Sequence, residues 1–210
     1  WARDTGRDRF SYSGDPLFAD AASGDFHLLS AGGRFVVATT SFVNDAVTSP
    51  LVDAGSLGSV FTNETSPNGG RRNVGLHGNT AWASRTPTNA ALVAISLNDG
   101  GRAEGSGWPM YWLARGAATG HTVRLEIASD TNLNWIVAAT NLPARLSTPF
   151  LWNSTFSTSS ISARWRVVSE QDPNVSDTND LPFAIRNTAL AFYVNDSSAA
   201  GDIYAAALGT

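Results

Sequence analysis

The chain has 210 residues and a mass of 22.1 kDa, which suits one large β domain or two ordinary ones. Only 15% of the residues are charged and the formal net charge is −4, so the basic surface that nucleic-acid binding requires is not expected. The chain contains no Cys and no Lys, which excludes disulfides, thiolate zinc ligands, Schiff-base lysines and P-loop lysines.

The first 86 residues contain too much Gly, Asn and Pro for long strands, so they predict short strands joined by tight turns. Brief strands are expected at 26–29, 34–38 and 50–52. Segment 66–80 carries four glycines and three asparagines, which accept positive φ at little cost, and it is expected to form a shaped loop. Pro87 disfavours regular structure before it, so the best domain boundary lies at 85–89.

Residues 88–187 show the alternation of apolar and polar residues that is typical of antiparallel strands with one solvated face. The two clearest strands lie at 123–128 and 161–168. Their inward-facing residues are predicted to be Val123, Leu125, Ile127, Ile161, Ala163, Trp165 and Val167. Weaker strands are predicted at 92–97, 108–113, 134–139, 150–152 and 183–186, which makes about seven strands and favours a β-sandwich.

The end of the sequence contains an apolar run, L-A-F-Y-V at 190–194, followed by a second one at 203–208. The first run has no evident partner strand within its own domain. An unpaired apolar strand favours addition to the sheet of a neighbouring chain. The predicted subunit junction comprises Leu190, Phe192, Tyr193, Val194, Ile203 and Tyr204. No apolar stretch reaches 18 residues, so we expect a soluble chain without a membrane span, either mature or excised from a longer protein.

The motifs S-P-L-V-D-A-G (49–55) and N-G-G-R-R-N-V-G-L-H-G-N-T (68–80) resemble the closing rungs of secreted bacterial right-handed parallel β-helix proteins. The resemblance implies a short β-helix-like, or β-solenoid end, domain over 1–86. It also implies a structural cap made by Asp53, Gly55, Asn68, Gly69, Gly70, Arg71, Asn73, Gly75, Gly78 and Asn79. In β-helix lyases an Asp cluster binds calcium and a basic residue is catalytic. Arg71 and Arg72 are the nearest candidates for that base, but a cap in which Arg71 fixes carbonyl groups is favoured.

Three motifs, at 120–130, 134–138 and 164–185, resemble an immunoglobulin-like or fibronectin-like module of large bacterial surface proteins. The run F-Y-V-N-D-S-S-A-A-G-D-I-Y at 192–204 is similar to the opening strand of another β-helix domain. Together the resemblances imply an all-β chain with an extracellular or cell-surface location. The expected division is a β-helix-like domain at 1–86, an immunoglobulin-like β-sandwich at 88–187 and a C-terminal strand segment at 188–210.

Candidates for chemistry are few, and no catalytic residue is predicted. The histidines, at 27, 77 and 121, lie in unrelated segments without metal-ligand spacing. Asp172, Asp177 and Asp180 are weak calcium candidates, and a hairpin with Asx turns is favoured over them. The tryptophans at 108, 112 and 152 form either a sugar-stacking surface or core, and those at 135 and 165 are expected in the core.

The sequence thus favours a non-catalytic structural module of a secreted bacterial surface protein, without a cofactor, that assembles head to tail into an extracellular filament. In this homo-oligomer or polymer, residues 190–208 are expected to pair with the N-terminal domain of the next subunit, so donor and acceptor are different surfaces. The alternative function is a carbohydrate-binding or adhesion module of a larger polysaccharide-degrading protein. The alternative to assembly is one segment of a giant chain whose missing β-helix rungs lie before Trp1 and after Thr210.

Overall fold

The structure is a computed structural model, and it describes residues 14–105, 107–154 and 157–186. These residues form fourteen β-strands and two short 3-10 helices, and no described helix reaches seven residues. The prediction of an all-β chain is confirmed. None of the helices in this part of the chain is long and apolar enough to cross a membrane.

The strands are short, and most of them have three or four residues. Before the predicted boundary they are β1 Phe18–Asp20, β2 Asp25–Leu28, β3 Arg34–Val36 and β4 Ser41–Val43. After it they are β5 Ala91–Ala94, β6 Arg102–Glu104, β7 Trp108–Met110, β8 Trp112–Arg115, β9 Thr122–Ala128, β10 Ile136–Pro143, β11 Phe150–Trp152, β12 Ser160–Ser169, β13 Ser176–Thr178 and β14 Phe183–Arg186.

Residues 14–86 form two antiparallel hairpins followed by a long stretch of turns. β1 pairs with β2 and β3 pairs with β4. The strands expected at 26–29 and 34–38 fall in β2 and β3, but 50–52 is a turn, in which Val52 N–H donates to the Ser49 carbonyl. Neither a solenoid sheet nor a closed sheet occurs in the described residues, so a β-helix domain stays a prediction.

The rest of the described chain is organised by a six-stranded sheet with the order β10-β9-β12-β14-β6, in which β13 also pairs with β12. β14 and β6 are parallel, and the other pairs are antiparallel. Two further pairs, β5-β8 and β7-β11, complete the architecture. The strands predicted at 123–128 and 161–168 are confirmed as β9 and β12. The immunoglobulin-like assignment remains a prediction, because the pairing alone does not establish it.

The core lies between β5, β7 and β8 and the inner face of the six-stranded sheet. Trp165 of β12 is fully buried, and its indole Nε1 donates to the Ser96 carbonyl at 2.6 Å. Trp112 of β8 is equally buried and donates to the Ala144 carbonyl at 2.9 Å. The predicted inward positions in β9, and those at 163, 165 and 167 in β12, are all confirmed as buried.

The prediction that Ile161 and Trp135 lie in the core is wrong. Ile161 is 90% exposed, because the pairing of β12 with β14 shifts register between Ser160 and Ala163, and a bulge breaks the alternation there. Trp135 is only half-buried and lies outside the core, with the Arg166 guanidinium 4.3 Å from its ring centre. It covers an ion cluster on the outer face, where Arg124 and Arg166 both bind Glu126.

Candidate functional site

The cap residues surround a buried carboxylate at Asp53, which lies in a turn with a φ of +58°. Its backbone N–H donates to Asn73 Oδ1 at 2.8 Å, and its carboxylate accepts the Thr86 hydroxyl at 2.9 Å. A Cβ at Gly69 would lie 2.5 Å from the Asp53 carboxylate, so only glycine fits there. The two cap motifs at 49–55 and 68–80 therefore form one site.

Arg115, the last residue of β8, reaches from the sheet into this site. Its guanidinium donates to the carbonyls of Pro50, at 2.8 Å, and Val52, and its Nε lies 3.9 Å from Asp53 Oδ2. Burial raises the pKa of Asp53, and the Arg115 cation and the Thr86 hydroxyl offset this only in part. The carboxylate and the guanidinium are thus paired in a dry environment, where removing either one would leave a costly buried charge.

Two more arginines cross between the two parts of the described chain. Arg71 is buried, and it donates to the Gly55 carbonyl and to the Tyr111 hydroxyl. Tyr111 is the single residue between β7 and β8. Arg145 lies on the surface and donates to the Gly70 carbonyl at 2.9 Å. We call the contacts of Arg71, Arg115 and Arg145 the arginine junction.

Glu64 organises the loop itself. Its Oε1 accepts the backbone N–H groups of Asn73 and Asn79, both at 2.8 Å. Burial raises the pKa of Glu64, against the effect of these two hydrogen bonds. Asn68 adds a turn around it by donating to the Glu64 carbonyl and accepting from Gly70 N–H.

The remaining cap residues allow close backbone contacts. Gly55 N–H donates to the Arg72 carbonyl at 2.8 Å, and a Cβ at Gly78 would lie 2.2 Å from the Asn73 carbonyl oxygen. Asn79 has a φ of +59° and Gly75 one of +126°. The predicted loop positions thus meet at one cap, and Arg72 is exposed at its rim.

Sequence reasoning missed Glu64, Thr86, Tyr111 and Arg115. Thr86 and Glu64 flank the recognisable motif, and Arg115 and Tyr111 lie on the other side of the predicted boundary. Thr86, Tyr111 and Arg115 join the site through contacts with residues at least 33 positions away. Glu64 joins it by accepting backbone N–H groups. The one local signal for Arg115 was that the otherwise apolar run W-L-A-R, at 112–115, ends in an arginine.

His27 and His77 are close together, which the sequence did not indicate. Their rings stack at 3.7 Å, and His27 Nδ1 lies 2.6 Å from Asp25 Oδ1. Burial and the neighbouring His27 lower the pKa of His77. No group of three or more His, Cys, Asp or Glu suitable for a metal occurs in the described residues, and His121 lies elsewhere, bonded to Ser169.

The three calcium candidates do not converge. Asp172 accepts Asn174 N–H in an Asx turn, Asp177 accepts Ala94 N–H at 2.7 Å, and Asp180 accepts the Asn98 amide at 2.8 Å. Asp172 thus bonds its own neighbouring backbone, as the hairpin interpretation expects, whereas Asp177 and Asp180 accept from residues more than 80 positions away.

The three tryptophans weighed as a sugar-stacking surface do not form one. Trp112 and Trp152 are buried in the core and Trp108 is packed against it. Among the tryptophans that the structure describes, Trp82 is the exposed one, with 53% of its surface accessible, and its ring stacks on Phe35 at 6.3 Å.

The predicted subunit junction at 190–194 and 203–204 lies outside the described residues. No protein-family model, curated protein or solved structure matches the chain.

Proposed function

We propose that this chain is a non-catalytic structural module of a secreted bacterial surface protein, and that it assembles head to tail into an extracellular filament. The observation that supports a structural role is the arginine junction. Its guanidinium groups are bound by carbonyls, a tyrosine hydroxyl and a carboxylate of the chain itself.

This arrangement suits a structural role better than a catalytic role. A general base or an electrostatic catalyst must present its polar atoms to a substrate. Asp53 and Arg71 are instead both buried, and the hydrogen bonds of their side chains go to Thr86, Gly55 and Tyr111 of the chain itself. Such contacts fix the position of residues 14–86 against the sheet.

An activity assay separates this proposal from a lyase or hydrolase. The full chain is incubated with a panel of acidic and neutral polysaccharides, beside the Arg71→Ala and Arg72→Ala variants. We expect no turnover by any of them. Turnover that either substitution abolishes would overturn the structural proposal.

Carbohydrate binding is the second candidate function, and the exposed Trp82 is the observation that favours it. An exposed indole backed by Phe35 presents an apolar face on which a sugar ring packs. Titration calorimetry with the same panel tests it, with Trp82→Ala as the disabling variant and Trp135→Ala as the matched control. Binding lost only in Trp82→Ala would support this function.

A further inference from the structure

The two stacked histidines join distant segments of the chain. His27 lies on β2, and His77 lies in the loop at 68–80 that carries the cap residues. Their rings are nearly parallel, with an interplanar angle of 7° and 3.7 Å between the ring centres. Histidine is the side chain whose charge changes most readily near neutral pH. The packing of the loop on β2 is therefore coupled to the binding of a proton.

His27 has no capacity for a second proton. It is buried, with 4% of its surface exposed, and its Nδ1 lies 2.6 Å from Asp25 Oδ1. Burial acts to raise the pKa of Asp25, but the hydrogen bonds from His27 outweigh it, so the pKa is lowered and the carboxylate is ionised near neutral pH. An ionised carboxylate only accepts, so Nδ1 of His27 carries the proton. Its Nε2 is buried without a hydrogen-bond partner in the described residues, and a proton there would have no acceptor.

His77 is the member of the stack that can reach water. It is half-buried, with one face on His27 and with its ring at an angle to that of Trp82, 6.4 Å between centres. In the part of the chain that the structure describes, its ring has neither a hydrogen bond nor an ion pair. Burial and the neighbouring His27 lower the pKa of His77, and the Asp25 carboxylate offsets this only in part. The stack thus favours a neutral His77.

The carboxylate at the stack is already engaged. Asp25 accepts from His27, and its Oδ2 lies 3.9 Å from Arg34 Nη1. Arg34 in turn binds Asp45, with its Nε 3.2 Å from Oδ2. A proton gained by His77 therefore adds a cation beside a carboxylate whose contacts are taken. The charged groups that surround the stack are Asp20, Asp25, Arg34 and Asp45 from the two hairpins and Arg72 from the loop.

The turn at 75–78 that carries His77 lies at the surface. Leu76 is 71% exposed. Gly75 has a φ of +126°, and a Cβ added there would meet no atom within 4 Å beyond its chain neighbours. The turn is closed by one backbone hydrogen bond, from Gly78 N–H to the Gly75 carbonyl at 3.2 Å. It has room to move outward when the stack separates.

Glu64 limits any such movement to the turn. Its Oε1 accepts the backbone N–H of Asn73 before the turn and that of Asn79 after it. A segment fixed at both ends opens locally while the rest of the fold stays in place.

We propose that the His27–His77 stack is an acid-sensitive latch, which holds the turn at 75–78 against β2 near neutral pH and releases it when His77 takes a proton. A histidine with a lowered pKa stabilises the closed turn fully above its ordinary pKa of about 6.5, and this contribution is lost as the pH falls to the pKa of the closed state. Release separates His77 from Trp82, so acid alters the surface around Trp82. The latch does not depend on the proposed assembly.

NMR titration of the full chain tests the latch. The chain has three histidines, so each ring can be followed separately and assigned with single His→Gln variants. We expect the His77 ring to titrate below about pH 6.5. Over the same pH range the exchange protection of the Gly78 amide, corrected for the intrinsic pH dependence of exchange, should fall severalfold. The amides of β9 should keep their protection.

Two variants separate the latch from a general effect of acid. His77→Phe keeps a stacking ring that takes no proton, so the protection of the Gly78 amide should stay constant over this range. His121→Gln is the matched control, because His121 is bonded to Ser169 in the sheet and its loss should leave the acid response unchanged.

Three results would overturn the latch. The first is a His77 ring that titrates at or above the ordinary histidine pKa in the wild type. The second is a titration of His77 that leaves the protection of the Gly78 amide unchanged. The third is an equal loss of protection in His77→Phe, which would show that acid acts through another group.

Discussion

At the scale of single residues, burial determines how much each aromatic side chain contributes to the stability of the fold. Trp165 and Trp82 are the same residue type in opposite situations, since one is fully buried and hydrogen-bonded and the other is half in solvent. Alternation in V-R-L-E-I-A and I-S-A-R-W-R-V-V was enough to predict the buried face. It was not enough for Ile161, because a bulge depends on the partner strand, which local sequence does not specify.

Replacement of Trp165 by Ala should lower the free energy of unfolding by about 3–5 kcal/mol, because it leaves a cavity and an unpaired Ser96 carbonyl. Chemical denaturation measures the change. Trp82→Ala is the control and should cost less than about 1 kcal/mol. Equal effects of the two substitutions would contradict the placement of Trp165 in the core.

At the scale of elements, the long loop from 63 to 80 is held by side-chain hydrogen bonds, those of Glu64 among them, rather than by strand pairing. The Gly and Asn pattern predicted a shaped loop, and the resemblance placed Arg71 at a carbonyl. Nothing local indicated that Glu64 would accept two backbone N–H groups from residues 9 and 15 positions away. Polar networks of this kind depend on tertiary geometry, so the sequence predicts the members of the motif better than their partners.

The raised pKa of Glu64 predicts a pH-dependent difference between the wild type and Glu64→Gln. A carboxyl group with a raised pKa stabilises the fold below its ordinary pKa of about 4.3, and this contribution is lost as pH rises through the folded pKa. Gln keeps the accepting oxygen and does not ionise. Glu64→Gln should therefore gain stability relative to the wild type as the pH rises from about 4 to neutrality.

Urea denaturation of both proteins across that pH range measures the effect. Glu64→Ala removes the acceptor altogether and should cost about 1–3 kcal/mol for each N–H left unpaired. A constant difference between the wild type and Glu64→Gln at all pH values would contradict a raised pKa at this site.

At the scale of the whole molecule, the arginine junction joins parts that the sequence separates at 85–89. Arg71 and Arg115 are both buried and both bind across this boundary. The composition change at the boundary predicts two domains, and that division stays a prediction. The buried contacts show that residues on its two sides are hydrogen-bonded to each other. Long-range contacts of this kind leave no periodicity in the sequence.

Arg115→Met should therefore lower stability by about 3 kcal/mol and divide thermal unfolding into two transitions in calorimetry, whereas the wild type unfolds in one. The substitution leaves Asp53 buried without its cation. Arg102→Met is the matched control, because the side chains of the Arg102–Glu104 pair are about 40% exposed and the pair should contribute less than about 1 kcal/mol. An Arg115→Met protein with unchanged unfolding would show that the junction does not couple the two parts.

The central proposal is a structural module that assembles through its C-terminal segment, and sedimentation velocity of the full chain tests it most directly. Measured over a wide range of concentrations, the full chain should form species at multiples of 22.1 kDa, and a chain lacking residues 189–210 should stay folded and monomeric. Circular dichroism of the shortened chain establishes that it is folded. A full chain that remains monomeric at the highest concentration, or a shortened chain that assembles equally well, would contradict the account.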